Sequence, residues 1–363
     1  MSVSPDPLLN MYDAALIVSF GGPEEPKDVL PFLDNVTRGR NVPRERLLEV
    51  AEHYYHFSGK SPINDQCRVL VSALRNELNE HGLNLPVYWG NRNWHPFLSD
   101  TLRQMRDDGV KHALAFVTSA YSSYSGCRQY REDIAAAQAE VGQDAPKVDK
   151  LRVFYNHPGF VEACADRVRD ALGHFLRNEP NSDGVPFRFV VSAHSIPCSM
   201  ADSSDYERQL RETSRLVAEA VGLTHWDVVF QSRSGPPIQP WLGPDVCEYL
   251  KSVHDVGVKK LLLAPLGFVS DHLEVLYDLD TEAMKLAREL GIDMVRAATV
   301  GTHPAFVRMI RQLIAERVFP NEPKLALGSF GPNHDVCPAD CCSAPLQAGR
   351  LPASADPSAS LHP

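Results

Sequence analysis

The feature that most constrains this chain is a regular alternation of short apolar, β-branched runs with amphipathic helical stretches. The strand-like runs cover residues 14–20, 86–91, 112–120, 151–155, 187–195, 226–232, 260–268 and 293–300. Apolar residues at helical spacing recur in residues 97–105, 160–175, 246–256 and 306–318. Buried runs joined through helices of this length are typical of parallel sheets. The pattern therefore predicts an α/β fold of layered sheets and helices with right-handed crossovers.

Changes in composition suggest where the domains begin and end. The polar, turn-rich stretch 177–186 separates the two series of strands and is expected to be a hinge between two sheets. We therefore place an N-terminal domain at residues 12–176 and a C-terminal domain at residues 187–320, whose last helix can pack back on the first domain. Residues 1–11 are expected to be a flexible N-terminus. Residues 321–363, rich in Pro, Ala, Ser and Gly, are expected to form a cysteine-containing tail that is disordered at its end.

Charge and hydropathy exclude several classes of partner. The formal net charge is −10 at pH 7 and the positive residues are scattered, which argues against a nucleic-acid partner held through its phosphates. Residues 1–20 lack the pattern of a secretory signal, and no run is long enough to span a membrane. We therefore expect a cytoplasmic protein without stable membrane insertion, in which the eight cysteines are reduced thiols.

Polar segments directly follow several predicted strands, and ligands of open α/β sheets bind at those strand ends. In SFGGPEEP, Gly21 and Gly22 lack the rest of a dinucleotide fingerprint or P-loop, so a tight turn is favoured over a phosphate site. His194 follows the run FVVSA directly and should project from the rim of the sheet. A neutral imidazole there can accept a proton or bind a metal, although a hydrogen-bonded structural histidine is the competing interpretation.

The segment SDHLEVLYDLDTEAMKL carries a row of acidic residues after the seventh predicted strand. The candidates in it are Asp271, His272, Glu274, Asp278 and Glu282. The last three follow one another at intervals of four, so they should share one helix face. Like charges at this spacing destabilise an isolated helix, which favours a role in guiding a cation or relaying protons. A solvated acidic face near a helix N-terminus is the alternative.

Six segments occur in a fixed order along the chain. They are SFGGPEEPKDVLPFL, SPIN at residues 61–64, GNRNWHP at 90–96, SAHSIP, QSRSGPP at 231–237 and GFVSDHLEVLYDLD. Together they resemble the ferrochelatase family over roughly residues 12–319, with the family's separation between the histidine and glutamate motifs. One such motif would be weak evidence, but the ordered set is specific.

The resemblance implies two Rossmann-like domains with a porphyrin cleft between them. In that family the histidine of SAHS and the glutamate of SDHLE face the metal centre, so the matching residues are His194 and Glu274. Metal insertion requires removal of two pyrrole protons and dehydration of the cation, which an imidazole and a facing carboxylate can assist. Asp278 and Glu282 would then lie along a path for metal or protons.

The resemblance also implies residues that touch the porphyrin. Ser61 and Tyr130 are expected to contact it, and Tyr54 and Arg92 to form part of the wall. A surface hydroxyl or a structural ion pair is the competing interpretation for each. Many relatives have a tyrosine or methionine that can approach the metal from the opposite face, whereas this chain has Phe20, which offers no ligand atom.

A basic, polar lip at residues 35–60 stands where membrane-associated relatives have an apolar one. It contains Arg38, Arg40, Arg44 and Arg46. Arginine pairs well with carboxylates, and coproporphyrin III carries four of them against two on protoporphyrin IX. The lip therefore favours Fe²⁺ insertion into coproporphyrin III, although arginines on a solvated helix face would look the same.

Three cysteines lie close together in GPNHDVCPADCCSAP, namely Cys337, Cys341 and Cys342. Some ferrochelatases hold a [2Fe–2S] cluster with C-terminal cysteines and one internal cysteine, and Cys127 falls in the corresponding loop. Four thiolates are what such a cluster needs. Cys164 is the second candidate, but it lies on an apolar helix where cysteine is usually a buried small hydrophobe. A zinc site that includes His334 is the chemical alternative.

Three functions remain open from the sequence. The favoured one is a monomeric enzyme that takes ferrous iron and coproporphyrin III, with protoporphyrin IX as the alternative porphyrin. A chelatase for another macrocycle or metal is the second, because imidazole and carboxylate ligands do not distinguish iron from cobalt or zinc. A non-catalytic porphyrin or haem carrier is the third, although a carrier needs no proton acceptor opposite the ring.

Overall fold

Two series of parallel strands organise the protein, as a computed structural model of residues 11–39, 42–178, 187–235 and 238–344 shows. The first series is β1 (Ala14–Ser19), β2 (Val87–Asn91), β3 (His112–Val117) and β4 (Lys147–Lys150). The second is β5 (Phe187–His194), β6 (Asp227–Gln231), β7 (Lys260–Ala264) and β8 (Asp293–Arg296). Within the described residues they form two four-stranded sheets, ordered β2-β1-β3-β4 and β6-β5-β7-β8, in which every pairing is parallel. The predicted two-domain α/β fold is confirmed.

Helices connect the strands and cover the sheets. Before β4 they are α1 (Val29–Val36), α2 (Arg44–His56), α3 (Ile63–Glu80), α4 (Leu98–Asp107) and α5 (Gln129–Val141). After β4 they are α6 (Pro158–Asn178), α7 (Cys198–Asp202), α8 (Tyr206–Ala220), α9 (Val246–Asp255), α10 (Met284–Glu289) and α11 (Pro304–Val318). A 3₁₀ turn covers Pro26–Asp28. Two described segments are π-helices. Tyr124–Arg128 lies where the sequence predicted a loop, and Val275–Ala283 lies where it predicted an ordinary helix.

One predicted strand is wrong. The apolar run at 151–155 is irregular, and the strand of that region is β4, which ends at Lys150. Leu151 adds one ladder bond to Ala115, and Val153 and Phe154 are then buried in the core without pairing. A short apolar run reports burial, and burial alone does not separate a strand from a packed loop.

The main core is continuous between the two sheets. Ile17 and Phe116 of the first sheet belong to the same buried cluster as Val191 and Leu262 of the second, and Phe306 of α11 is part of that cluster. Helix α11 packs against α3 and α6, so the last helix contacts elements that precede the second sheet. The boundary placed at 177–186 stays a prediction, because residues 179–186 lie outside the described ranges.

The first part of the C-terminal tail is folded onto the protein. Asn156 donates from its amide to the carbonyls of Leu327 and Gly331, at 3.1 and 2.8 Å, and accepts from the Leu327 N–H at 2.8 Å. Residues 1–10 and 345–363, for which flexibility was predicted, lie outside the described part of the chain. Among the described helices, none combines the length and the apolar character needed to span a membrane.

Candidate active site

His194 and Glu274 face each other at the carboxyl end of the second sheet. Nε2 of His194 lies 3.3 Å from Oε2 of Glu274, and the two side chains are 36% and 44% exposed. His194 is the last residue of β5, and Glu274 lies in the helical turn directly before the second π-helix. Both groups are thus held by regular elements while they remain open to a ligand.

Hydrogen bonds around His194 fix its ring. Its Nδ1 lies 2.5 Å from the Ser195 carbonyl, which can only accept, so the neutral ring carries its proton on Nδ1 and leaves the lone pair of Nε2 free. The hydroxyl of Tyr206 donates to the His194 carbonyl at 2.9 Å. The Ser195 N–H donates to the Gln231 carbonyl at 2.8 Å. The backbone on both sides of the imidazole is therefore tied to neighbouring elements.

The two groups shift each other's protonation. Desolvation alone would lower the pKa of His194, but the hydrogen bond and charge of Glu274, helped by the Ser195 carbonyl and Asp278, outweigh it and raise that pKa. Burial would raise the pKa of Glu274, yet the same contact, with His272 and His53 nearby, brings it to about 2. Without a ligand the pair therefore favours imidazolium and carboxylate.

The predicted acidic row lies along the second π-helix. Burial and the negative charges of Glu274 and Glu282 raise the pKa of Asp278 to about 7, although the hydrogen bond from Ser232 acts in the opposite direction. The Ser232 hydroxyl donates to the Asp278 carboxylate. Glu282 is exposed, whereas Glu274 and Asp278 are half-buried. The sequence predicted an ordinary helix here, whereas the backbone is a π-helix, whose bonds run from residue i to i+5. A path for metal or protons along this row stays a prediction.

Lip helices of the first domain pack beside this row. The His53 ring stacks on Tyr277 with ring centroids 3.7 Å apart and an interplanar angle of 8°. Leu273, next to Glu274, is buried in a cluster with Tyr54 of α2 and with Phe20, which follows β1. Desolvation, followed by the charges of Glu274 and Asp278, raises the pKa of Tyr54 well above its usual range. Tyr54 and Phe20 therefore lie close to the pair.

Three further predicted contacts lie deeper in the first domain. The Arg92 guanidinium is ion-paired with Asp133 and stacks 4.4 Å from the centroid of Tyr130, which is only 4% exposed. Ser61 is 2% exposed and packs against the Gly22 turn, where an added Cβ would come within 2.7 Å of the Ser61 Cβ. Phe20 connects the groups, since Arg92 also lies 5.7 Å from its ring. The porphyrin contacts of these residues stay predictions.

Arginines of the lip are exposed and engaged with nearby acids. Arg46 pairs with Glu49 at 2.8 Å and Arg44 with Asp34 at 3.1 Å, and all four side chains are at least half exposed. Such surface pairs are weak and exchange readily for a ligand carboxylate. Arg40 lies outside the described residues.

The three C-terminal cysteines lie close together, and Cys127 of the first domain lies near them. Cys127 is buried in the first π-helix, and its thiol interacts with that of Cys337 and helps to raise the pKa of Cys337. The Sγ atoms of Cys337 and Cys341 lie within 4.8 Å of each other, and Sγ of Cys341 lies 3.7 Å from that of Cys342. His334 joins Cys337 and Cys341 in a group whose ligand atoms lie within 4.8 Å of one another.

Hydrogen bonds also attach the tail to the first domain near these thiols. The Arg128 guanidinium donates to the carbonyls of Ala339 and Cys341, at 2.8 and 3.3 Å. Cys164 is instead buried in the main hydrophobic core, where burial raises its thiol pKa. Of the two internal candidates, Cys127 is the one whose thiol influences the pKa values of Cys337 and Cys341.

Several site residues were missed at the sequence level. Ser232 follows β6 directly, with a left-handed φ of 60° that is uncommon for a residue other than glycine. Its place after an apolar strand was the available signal. His53 and Tyr277 carried no signal, because their stack depends on how α2 meets the second domain.

Parallel strand ends that present a facing imidazole and carboxylate, followed by an acidic row, define a chelatase-type α/β protein. The fold agrees with SirB from Bacillus subtilis with Fe³⁺, at a TM-score of 0.53 and 13% identity, covering 87% of this chain and 99% of that one. The ferrochelatase family model matches residues 12–318. This chain belongs to the ferrochelatase family.

Curated relatives are similar over almost their whole length. A ferrochelatase of Rhodopirellula baltica is 57% identical over 332 residues, covering 91% of this chain and 93% of that protein. A coproporphyrin III ferrochelatase of Streptomyces coelicolor is 51% identical over 355 residues, covering 92% and 94%. A coproporphyrin III ferrochelatase of Nocardia farcinica is 48% identical over 354 residues, covering 93% and 99%.

Proposed function

We propose that this protein inserts Fe²⁺ into coproporphyrin III to give Fe-coproporphyrin III in haem biosynthesis. The observation that carries the proposal is the His194–Glu274 pair, 3.3 Å apart and open to solvent, at the strand ends of a ferrochelatase-family fold. Each insertion consumes one Fe²⁺ and one free-base porphyrin, and it releases two protons.

The pair is proposed to receive the metal and the pyrrole protons. A divalent cation near His194 repels the imidazolium proton, and the freed Nε2 then offers a lone pair beside the Glu274 carboxylate. Both groups are ligands that Fe²⁺ accepts. Once the metal has moved into the ring, the same two groups can accept the protons that the pyrroles lose.

Asp278 and Glu282 are proposed to carry metal ions inward or protons outward. Asp278, with a pKa of about 7, exchanges a proton readily near neutral pH. Glu282 is exposed and can pass that proton to water. The exposure of Glu282, compared with the half-buried Asp278, supports this direction of transfer.

Six first-domain residues are proposed to bind the porphyrin: Ser61, Tyr130, Tyr54, Arg92, Phe20 and Arg46. Tyr54 and Phe20 have the best support, since they pack with Leu273 beside the pair. Phe20 would face the ring without supplying a ligand atom. Metal ligation would then come from the His194 side alone.

The choice of coproporphyrin III has two supports. The lip of the described chain presents Arg38, Arg44 and Arg46 to solvent, where they can pair with extra propionates. Curated relatives near 50% identity are named for this substrate. Anaerobic turnover of Fe²⁺ with coproporphyrin III and with protoporphyrin IX tests the choice. We expect a higher kcat/KM with coproporphyrin III, and an equal or lower value would refute it.

We also propose that Cys127, Cys337, Cys341 and Cys342 hold a [2Fe–2S] cluster. Four thiols are what such a cluster needs, and the interaction of the Cys127 thiol with Cys337 supports it over a zinc site built from the tail alone. When bound, the cluster would cross-link the tail to the first domain. Visible absorption with iron and acid-labile sulfide analysis of anaerobically purified protein tests this, because zinc is colourless.

A cytoplasmic, monomeric enzyme completes the proposal. The eight cysteines are free thiols in the structure, which suits a reducing compartment. Fractionation of the native host and light scattering of the purified protein test the two statements.

A further inference from the structure

We propose that Gln66 of the first domain is a positioning residue for metal insertion, because it holds the loop that presents Glu274 on the second domain. Gln66 lies in the first turn of α3. Its Oε1 accepts from the Asp271 N–H at 3.0 Å, and its Nε2 donates to the Asp271 carbonyl at 3.3 Å. One amide thus binds both backbone groups of a residue three positions before Glu274.

Arg296, at the end of β8, holds the same loop from the other side. Its Nη1 lies 3.1 Å from Oδ1 of Asp271, and its Nε and Nη2 lie 2.5 and 2.8 Å from the Asp280 carboxylate. Arg296 is 13% exposed, so these contacts are stronger than ordinary surface pairs. Asp271 is consequently fixed through its N–H, its carbonyl and its carboxylate.

The two contacts differ in what they connect. Arg296 joins parts of the second domain, whereas Gln66 reaches from the first domain, whose α2 and β1 carry the proposed porphyrin wall. The Gln66 amide therefore sets the position of Glu274 relative to that wall. A shift of the loop would change the distance between the metal and the ring without removing any ligand atom, and such misplacement is costly in rate.

Asn64, two residues before Gln66, binds groups of the first domain through its hydrogen bonds to Gly22 and His95, in contrast to Gln66. Its amide donates to the Gly22 and His95 carbonyls, at 3.1 and 3.3 Å, both within the first domain. The start of α3 is thus tied to the first-domain loops by Asn64 and to the second domain by Gln66. Neither Asn64 nor Gln66 contacts the His194–Glu274 pair, so the effect of Gln66 must pass through Asp271.

Gln66→Met tests the inference, since it keeps the length of the side chain and removes both hydrogen bonds. Glu77→Gln is the matched control, because Glu77 lies on the same helix and pairs across to Arg311 of α11 at 2.7 Å, away from the Asp271 loop. Fe²⁺ insertion into coproporphyrin III is followed by loss of porphyrin fluorescence. We expect kcat/KM for Fe²⁺ to fall about 10-fold or more in Gln66→Met, while Glu77→Gln behaves as wild type.

Porphyrin binding and thermal unfolding separate positioning from simple damage. The porphyrin dissociation constant of Gln66→Met should stay at the wild-type value, and its Tm should drop no more than that of Glu77→Gln. Gln66→Asn, which keeps the amide but is too short to span the interface, should reproduce the kinetic loss if Gln66→Met does not fold. Wild-type kinetics in a folded Gln66 variant would overturn the inference.

The inference rests on the proposed function, and the experiment distinguishes their failures. Absence of insertion by the wild-type protein would refute the proposed function. Insertion by wild type that is unchanged by Gln66→Met would refute only the role of Gln66.

Discussion

The imidazole of His194 and the carboxylate of Glu274 meet at 3.3 Å, although His194 ends β5 and Glu274 lies in the connection after β7. Replacing His194 by Ala removes the group proposed to hold the metal and accept a proton. We expect Fe²⁺ insertion to fall by about 10²- to 10⁴-fold, the usual contribution of a positioned acid–base group. Porphyrin fluorescence in anaerobic assays measures the rate.

The control for this variant is porphyrin binding. His194→Ala should still quench or shift porphyrin fluorescence at wild-type concentrations, because the proposed wall belongs to the first domain. Undiminished iron-dependent turnover in His194→Ala would exclude its catalytic role. A wild-type protein that binds porphyrin but never metallates it would instead be a carrier.

The contact between His194 and Glu274 also predicts how the pKa of His194 depends on the charge of Glu274. The Glu274 contact raises the pKa of His194, and Glu274→Gln removes that charge. Desolvation then lowers the pKa of His194, and the Ser195 carbonyl and Asp278 oppose it. We expect the His194 titration, followed by NMR of the labelled imidazole, to move to lower pH in Glu274→Gln. An unchanged midpoint would mean that the two side chains do not interact in solution.

The sign of the activity profile follows from the same contact. Because the raised pKa of His194 keeps the ring protonated in acid, insertion should increase with pH through that pKa and then level off. A rate that falls over this range would contradict a role for the neutral ring.

Sequence patterns predicted the sheets because strands depend on local signals, whereas the pairing of His194 with Glu274 was implied by the resemblance to ferrochelatases. An apolar run followed by a polar residue marks a buried strand end, and this placed His194 correctly on β5. The four-residue acidic spacing located the row near Glu274, but the π-helical backbone has no comparable signal. The Gln66–Asp271 and His53–Tyr277 contacts could not be predicted, since each joins distant parts of the chain through tertiary packing.

The lip predicts a substrate-dependent effect of Arg46. Its guanidinium is half exposed and paired with Glu49, so it can turn to a propionate at little cost. Arg46→Ala should raise KM for coproporphyrin III about 10-fold, as expected for loss of one charge-assisted hydrogen bond, and should affect protoporphyrin IX less. Arg211→Ala, which removes a similar exposed pair with Glu207 on α8, is the matched control. Equal effects on both porphyrins would exclude a propionate contact.

The proposed cluster ligands predict which cysteines are required for the visible absorption of a [2Fe–2S] cluster. Cys127→Ser and Cys337→Ser should each lose the iron–sulfur spectrum, whereas Cys164→Ser, altered only within the core, should keep it. His334→Ala separates the two metal hypotheses, since a four-thiolate cluster does not need the imidazole and a zinc site does. Bound zinc with no labile sulfide in the wild-type protein would contradict the cluster.

Arg152 and Glu316 form a buried ion pair that connects the first domain, α11 and the tail. Nε and Nη2 of Arg152 lie 2.7 and 2.8 Å from the Glu316 carboxylate, and the side chains are 1% and 2% exposed. Nη2 also donates to the Leu325 carbonyl at 2.8 Å, and the Leu325 N–H donates to Glu316 at 3.2 Å. Arg152→Met leaves the carboxylate buried without its partner, which should lower the free energy of unfolding by about 3–5 kcal/mol.

Urea unfolding measures that loss, and the double variant provides its control. Because a buried pair replaced by apolar residues of similar size is often neutral, Arg152→Met with Glu316→Met should recover much of the stability. The double variant still lacks both side-chain contacts to Leu325, so its tail should remain less firmly held than in the wild type. We therefore expect the Cys341 thiol to be labelled faster in the metal-free double variant than in the metal-free wild type, under conditions in which both proteins remain folded. Equal labelling rates would show that the tail is held by Asn156 and Arg128 without help from the ion pair.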